Sequence, residues 1–177
     1  MRLIAATLLL CFGPDISPAA AAEDAYPCVR FVDAAARWLL RDGARHSPTL
    51  ARIAEALCRT DVIVYVRVDL TLKPGLAGSC GLVTATPVSR FLAVRLNGRM
   101  QLAGDLMAVL SHELEHALQI GRAAWVRSPR DVLQLQRILT PGGRHAESAE
   151  RAEAATRLEI AAAALPLRAA GLRARPP

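Results

Sequence analysis

The stretch DLMAVLSHELEHALQI, residues 105–120, carries the clearest secondary-structure signal in the chain. Its apolar residues recur at the three- and four-residue spacing of one helix face, and Gly121 follows as a usual helix end. These apolar residues are Leu106, Val109, Leu110, Leu114, Ala117 and Leu118. The pattern predicts an amphipathic helix from Asp105 to Ile120 that buries this stripe against the rest of the domain.

Upstream of this helix, the sequence predicts two helices and then a small sheet. The first helix is expected over Val29–Asp42, and the second begins at Ser47-Pro48, a capping residue followed by proline at the first helical position. Alternating β-branched residues predict strands at 61–69, 81–86 and 90–96, joined by turns. Short connections of this kind favour an antiparallel three-stranded unit.

Downstream of the motif helix, two more helices are expected. Ser128-Pro129 opens one that runs to about Leu139, and an Ala-, Glu- and Arg-rich helix follows over about residues 146–164. The chain then reads as one α+β domain over 23–165, with a basic tail at 166–177 expected to be flexible.

The first residues, MRLIAATLLLCFG, have a basic start and an apolar run too short to span a bilayer. With the small residues up to Ala22, they predict a cleaved signal peptide over 1–22 and an exported protein, periplasmic or secreted, without a transmembrane helix in its mature form. The alternative, a lipoprotein acylated at Cys11, is disfavoured because Leu10 stands where a small residue is needed.

Charge and cysteine content narrow the class of protein further. The net charge is +6, but the arginines are scattered and only 4% of residues are aromatic, which argues against a nucleic-acid-binding protein. Cys28, Cys58 and Cys80 remain after the leader, so one disulfide and one free thiol are expected, with the pairing open. No two of them have the short spacing of a cysteine zinc site.

The segment His112-Glu113-Leu114-Glu115-His116 predicts a metal site. Histidines four residues apart on one helix can bind the same ion, and zinc is the usual occupant of such a pair. Glu113 lies about 100° around the helix from His112, where a carboxylate can act as a general base without binding the metal. A third ligand is needed, and Glu147, Glu150 and Glu153 on the last helix are the candidates at this point.

From about residue 34 to 155, the chain resembles a group of uncharacterised bacterial exported proteins regarded as zincin metallopeptidases of the gluzincin type. The resembling stretches are LARIAEALCRTDVIVYVRV, LAGSCGLVTAT, RFLAVRL, VLSHELEHALQI and the final helix containing Glu147-Ser148. The order Arg137-Ile138, loop, Glu147-Ser148 matches the group and ranks Glu147 first as third ligand. The alanines that follow are displaced from the group's pattern, which keeps Glu150 as the alternative.

The resemblance implies a zincin-like fold in which the strand before the motif helix, residues 90–96, is an antiparallel sheet edge that binds a peptide. The leading hypothesis is therefore a Zn²⁺-dependent peptidase with His112, His116 and Glu147 as ligands and Glu113 as general base. A non-catalytic envelope-binding protein with the zincin fold is the alternative, because no oxyanion-stabilising residue stands out beyond a possible His145. Hydrolysis of a non-peptide amide, such as a cell-wall bond, is a third reading; the oligomeric state stays open.

Overall fold

The computed structural model describes residues 25–100, 102–139 and 144–173, with side chains described in the last range from 147 to 164. The expected signal peptide and the last residues of the tail lie outside these ranges. The described chain forms one mixed α+β domain with the elements β1 (Val29–Phe31), α1 (Ala34–His46), α2 (Pro48–Leu57), β2 (Val62–Asp69), β3 (Gly78–Ala85), β4 (Arg90–Asn97), α3 (Ala103–Arg122), α4 (Pro129–Leu139) and α5 (Arg144–Arg173).

The sheet is mixed, and its strand order corrects the expected antiparallel unit. The order is β1-β2-β4-β3, with β1 and β4 parallel to β2 and β3 antiparallel to β4. The strand before the motif helix, β4, is therefore central and not an edge. Its residues Leu92, Val94 and Leu96 are fully buried, which fits a strand paired on both sides. The exposed antiparallel edge is β3.

The start of the chain also differs from the expectation. Val29–Phe31 was predicted as the first turn of a helix but forms β1, which pairs with Val64–Val66. The helix begins only after Asp33, whose carboxylate accepts a hydrogen bond from the backbone N–H of Ala36 (2.7 Å) and another from Val68 of β2 (2.9 Å). An aspartate in this cap position favours a helix start there over one five residues earlier.

The predicted start of the second helix is confirmed. The same helix start also binds a side chain of the last helix, α5. Ser47 caps α2 by accepting from the N–H of Leu50 at 3.1 Å. Glu159 of α5 accepts hydrogen bonds from Ser47, from the backbone N–H of Thr49 and from its hydroxyl. A carboxylate at a helix N-terminus is stabilised by the unpaired N–H groups there. This contact docks α5 onto α2, and α5 continues past Pro166 to Arg173, beyond its expected end.

One predicted disulfide forms, between Cys28 at the entry to β1 and Cys58 at the end of α2. Cys80 of β3 is the free cysteine of the described residues. The bridge closes a loop of 30 residues and ties the edge of the sheet to the helical layer.

Arg90, at the start of β4, is fully buried and joins the sheet to the end of the motif helix. Its guanidinium donates to both carboxylate oxygens of Asp61 and to backbone carbonyl oxygens of the turn that ends α3. These acceptors are Ile120 (2.6 Å), Gly121 (2.8 Å), Ala123 (2.8 Å) and Val126 (3.3 Å). A cation at a helix C-terminus satisfies carbonyls that have no partner within the helix.

Replacing this guanidinium should destabilise the fold strongly. We expect Arg90→Met to lower the free energy of unfolding by about 3–5 kcal/mol, because Asp61 loses its buried partner and several buried carbonyls lose their donor. Urea unfolding followed by circular dichroism measures this. Arg127→Met is the matched control, since Arg127 also contacts Asp61, at 3.3 Å, but is about 39% exposed. A similar loss in both variants would contradict the special role of Arg90.

Candidate functional site

The two histidines of α3 face one another through the same ring nitrogen. The Nε2 atoms of His112 and His116 are 3.1 Å apart, and the rings are nearly perpendicular. Two nitrogens that bind one tetrahedral zinc ion at about 2.0–2.1 Å lie roughly 3.3 Å apart. One neutral ring can donate its N–H to the other, and both can present lone pairs to one cation. The geometry thus fits the predicted pair.

His116 is oriented by a short polar chain that reaches α5. Its Nδ1 lies 3.2 Å from the side-chain oxygen of Gln119, an atom that only accepts, so Nδ1 carries the proton and Nε2 carries the lone pair. The Gln119 amide in turn donates to the Ser148 hydroxyl at 2.6 Å. An outer hydrogen bond of this kind sets the tautomer of a metal-binding histidine. Sequence reasoning gave Gln119 no role.

Glu153 is the glutamate of α5 that contacts the histidine pair. Its Oε2 lies 3.0 Å from Nδ1 of His112, and both side chains are about three-quarters buried. This oxygen lies off the line of the ring N–H, so Nδ1 is buried without a directed hydrogen bond from the described residues. The contact is an ion pair only when the His112 imidazole is protonated. Arg157 holds the other oxygen of Glu153 at 3.1 Å.

The preferred candidates Glu147 and Glu150 lie elsewhere on the helix. The buried stripe of α5 is formed by Ala149, Ala152 and Thr156. Glu147 is nine residues before Thr156, about 180° around the helix, and its half-exposed carboxylate pairs with Arg151 at 3.3 Å. Glu150 is exposed. The spacing of Ala149, Ala152 and Thr156 is the sequence signal for the buried face of this helix. Glu153 lies at the border of that face, so this signal favours Glu153 as the glutamate nearest to the histidines.

In the described part of the chain, no three His, Cys, Asp or Glu side chains stand close enough together to hold a metal ion as they are. The histidine pair and Glu153 are thus a partial donor set. His145, considered above for the oxyanion, has a side chain outside the described residues.

Glu113 is buried between α3 and the edge strand β3. Its side chain is 6% exposed, and burial, followed by the nearby charge of Glu153, raises its pKa to about 7. Gly78 of β3 makes room for it, because a Cβ atom there would stand 2.7 Å from the Glu113 carboxylate oxygen. A carboxyl group with a pKa near neutrality can both accept and release a proton under physiological conditions.

Cys80 lies on the same strand as Gly78, and the charge of the Glu113 carboxylate affects its thiol. Burial, and then the charge of Glu113, raise the pKa of its thiol far above the usual range. A thiol that stays protonated is a poor nucleophile and a poor metal ligand. The reactive groups of the site are therefore the two imidazoles and the carboxylates.

Comparison with known proteins adds no relative: no family model, no curated protein and no solved structure matches the chain. None of the helices in the described ranges combines the length and apolar character needed to cross a membrane.

The raised pKa of Glu113 predicts a pH-dependent stability of the metal-free protein. An unfolded glutamate ionises near pH 4.5 and the folded one near pH 7. Between these values the unfolded state loses its proton first, so the stability of the fold decreases as pH rises through this window and stays reduced above it.

We therefore expect Glu113→Gln to be more stable than the wild type near pH 8, by roughly 1–3 kcal/mol, and not near pH 4. Urea unfolding in the presence of a chelator at both pH values measures the difference. Glu150→Gln, on the exposed side of α5, is the control and should show no such dependence. An equal gain for Glu113→Gln at both pH values would show that charge burial is not its cause.

Proposed function

We propose that this protein is an exported zinc-dependent hydrolase that cleaves peptide bonds, as a zincin of the gluzincin type. The observation that carries the proposal is the 3.1 Å approach of the two histidine Nε2 atoms, one residue away from a buried glutamate with a near-neutral pKa. A metal clamp and a proton-transfer group on one helix are the two parts that such a hydrolase requires.

His112 and His116 would hold the ion through Nε2, with a carboxylate of α5 as the third ligand. The contact between Glu153 and His112 makes Glu153 our candidate for this ligand. Glu147, ranked first by sequence, remains a prediction that requires a different orientation of the start of α5. Zinc bound there would polarise a substrate carbonyl and bring the pKa of water toward neutrality.

Glu113 would carry the proton. Its carboxylate accepts a proton from the attacking water and returns it to the nitrogen of the leaving amine. Its burial against β3 supports this role, because the same burial raises its pKa and holds it beside the strand where a substrate would lie. In the metal-free protein the charge of Glu153 adds to the effect of burial on the pKa of Glu113, which makes the ionised Glu113 carboxylate a stronger base.

The free edge of β3 supports a peptide as the substrate. One side of β3 pairs with β4, and its other side is unpaired in the described chain. An extended peptide can add to such an edge through backbone hydrogen bonds. Gly78 and Cys80, at the beginning of this strand, are the residues next to Glu113, so a peptide added here would pass the proton-transfer group.

The disulfide between Cys28 and Cys58 supports export, since such bonds form and persist in oxidising compartments. It agrees with the leader-like residues 1–22 and with a periplasmic or secreted location.

One observation favours the alternative of a non-catalytic binding protein with the same fold. The chain has two tyrosines. Tyr65 of β2 accepts a hydrogen bond from Arg30 of β1, and Tyr26 precedes β1, the edge strand opposite to β3. No contact of the described residues places either tyrosine at Glu113. Turnover by this protein would need a donor from elsewhere, such as His145 or the substrate-paired backbone.

The metal is tested by elemental analysis of the purified protein. We expect about one zinc per chain in the wild type and in Glu147→Ala, and little in His116→Ala or Glu153→Ala, because a carboxylate that ligates contributes directly to affinity. Retention of zinc in Glu153→Ala with loss in Glu147→Ala would return the third ligand to Glu147. No zinc in folded wild type, after metal is added back, would refute the metal site.

The reaction is tested on a peptide library with mass-spectrometric detection. We expect cleavage by the wild type, and a loss of turnover of about a hundredfold or more in Glu113→Gln with zinc retained, because the proton-transfer group is removed and the ligands are not. Glu150→Gln is the matched control and should retain activity. A zinc-loaded wild type that cleaves no member of the library would favour the binding protein.

A further inference from the structure

The sheet has a second face that the described helices leave open. Alternate residues of β2 and β4 point away from the core, among them Tyr65, Arg67, Phe91, Ala93 and Arg95. Three of the four strands, β1, β2 and β4, are parallel to one another. Parallel strands are normally covered on both faces, so an open face across them is expected to bind another molecule or segment.

This face contains a groove, and the two small residues Ala93 and Gly81 lie at its floor. Ala93 of β4 lies between Tyr65 of β2 and Gly81 of β3 as their register partner. A Cβ atom at Gly81 would meet nothing within 4 Å, so the space above these positions is open. The groove has a volume of about 460 Å³ and is walled by Phe91, Val83 and the two arginines. Ligand sites of proteins begin at roughly 300 Å³.

The apolar walls of the groove are accessible. Val83 is 65% exposed, and the pairing of β3 with β4 is irregular between Leu82 and Thr84, which pushes Val83 out of the regular ladder. Val32, beyond the end of β1, is 62% exposed on the other side of the groove. Apolar side chains around a concave surface are typical of interaction sites.

One end of the groove is positively charged. Arg67 and Arg95 are register partners, and both donate to the same carboxylate oxygen of Asp69, at 2.9 and 2.7 Å. Two guanidinium groups thus share one carboxylate and keep further N–H groups for another acceptor. Arg30 adds a third cation beside them, donating to the Tyr65 hydroxyl at 3.2 Å. The face therefore carries a net positive charge.

This charge argues against a second copy of the chain as the cover, because two such faces would bring like charges together. A lipid surface is flat on this scale and would reach the arginines without filling the groove above Ala93. We propose that the open face of the sheet docks an acidic segment of a partner protein, which places an apolar side chain over Ala93 and a carboxylate on Arg67 and Arg95. The surface is independent of the histidine site on the helical side.

The test uses fluorescein-labelled twelve-residue peptides in which glutamate alternates with leucine or phenylalanine, and twins in which lysine replaces glutamate. Binding is measured by fluorescence anisotropy to the full chain carrying Glu113→Gln, so that turnover cannot consume the probe. We expect micromolar binding of the acidic peptides, weaker as salt is raised, and at least about tenfold weaker binding of the twins.

Three variants assign the binding to the groove. Ala93→Leu fills its floor, Arg67→Gln with Arg95→Gln removes the cations, and Val83→Glu adds a repelling charge at an exposed position that tolerates substitution. Each should weaken binding about tenfold or more. Arg41→Gln with Arg59→Gln removes the same charge from exposed positions of the helical layer and should leave binding unchanged. If the double arginine variant unfolds, the other two decide.

Several outcomes would overturn the proposal. Equal binding of acidic and basic peptides, or an equal effect of the control variant, would show that the groove is not the site. Binding of phosphatidylglycerol vesicles or of decanoate that depends on Arg67 and Arg95, without binding of the acidic peptides, would assign the face to a lipid or a small amphiphile. None of these results depends on zinc or on peptide cleavage.

Discussion

The buried guanidinium of Arg90 is the interaction on which the geometry of the domain depends. It satisfies Asp61 ahead of β2 and four carbonyl oxygens at the end of α3 and in the turn after it. The start of two parallel strands and the end of the motif helix thereby meet at one point. Because a buried charge is strongly unfavourable without this full set of partners, the helix has little freedom to shift along the sheet. The histidines of this helix and Glu113 consequently have a defined position relative to β3.

The helix α5 completes the site by packing antiparallel to α3. Ser148 meets Gln119, Glu153 meets His112 and Arg157 meets Asp105, in an order that runs opposite along the two helices. Ala149 and Ala152 between these contacts are buried, and such small side chains let the two helices approach closely. Glu159 fixes the other end of this arrangement at the start of α2. The carboxylates near the histidines are therefore selected by helix packing, through contacts outside the segment 112–116.

The two faces of the sheet carry different groups: the buried Glu113 carboxylate lies on the face covered by helices, and the arginines and aromatic rings lie on the open face. The covered face supports α3, and Gly78 on that side leaves room for the Glu113 carboxylate. The open face presents arginines and aromatic rings around the gap left by Ala93 and Gly81. Alternation along a strand sends neighbouring residues to opposite sides, so Leu92 and Val94 are core residues while Ala93 forms the floor of the groove. A substrate at the edge and a partner on the open face would not compete for the same side chains.

The sequence alone determined the features that depend on local pattern: the amphipathic motif helix, the cap of α2 at Ser47, the three strands after it and the presence of one disulfide among three cysteines. It also placed His112, Glu113 and His116 on one helix, because a spacing of four residues is one helical turn. Only the tertiary structure decided that β4 is central, that Val29–Phe31 is a strand, and that Glu153 and not Glu147 meets His112. Strand order and the orientation of α5 depend on contacts between residues far apart in the chain. Local periodicity shows that a face is apolar, but it does not specify which other element that face packs against.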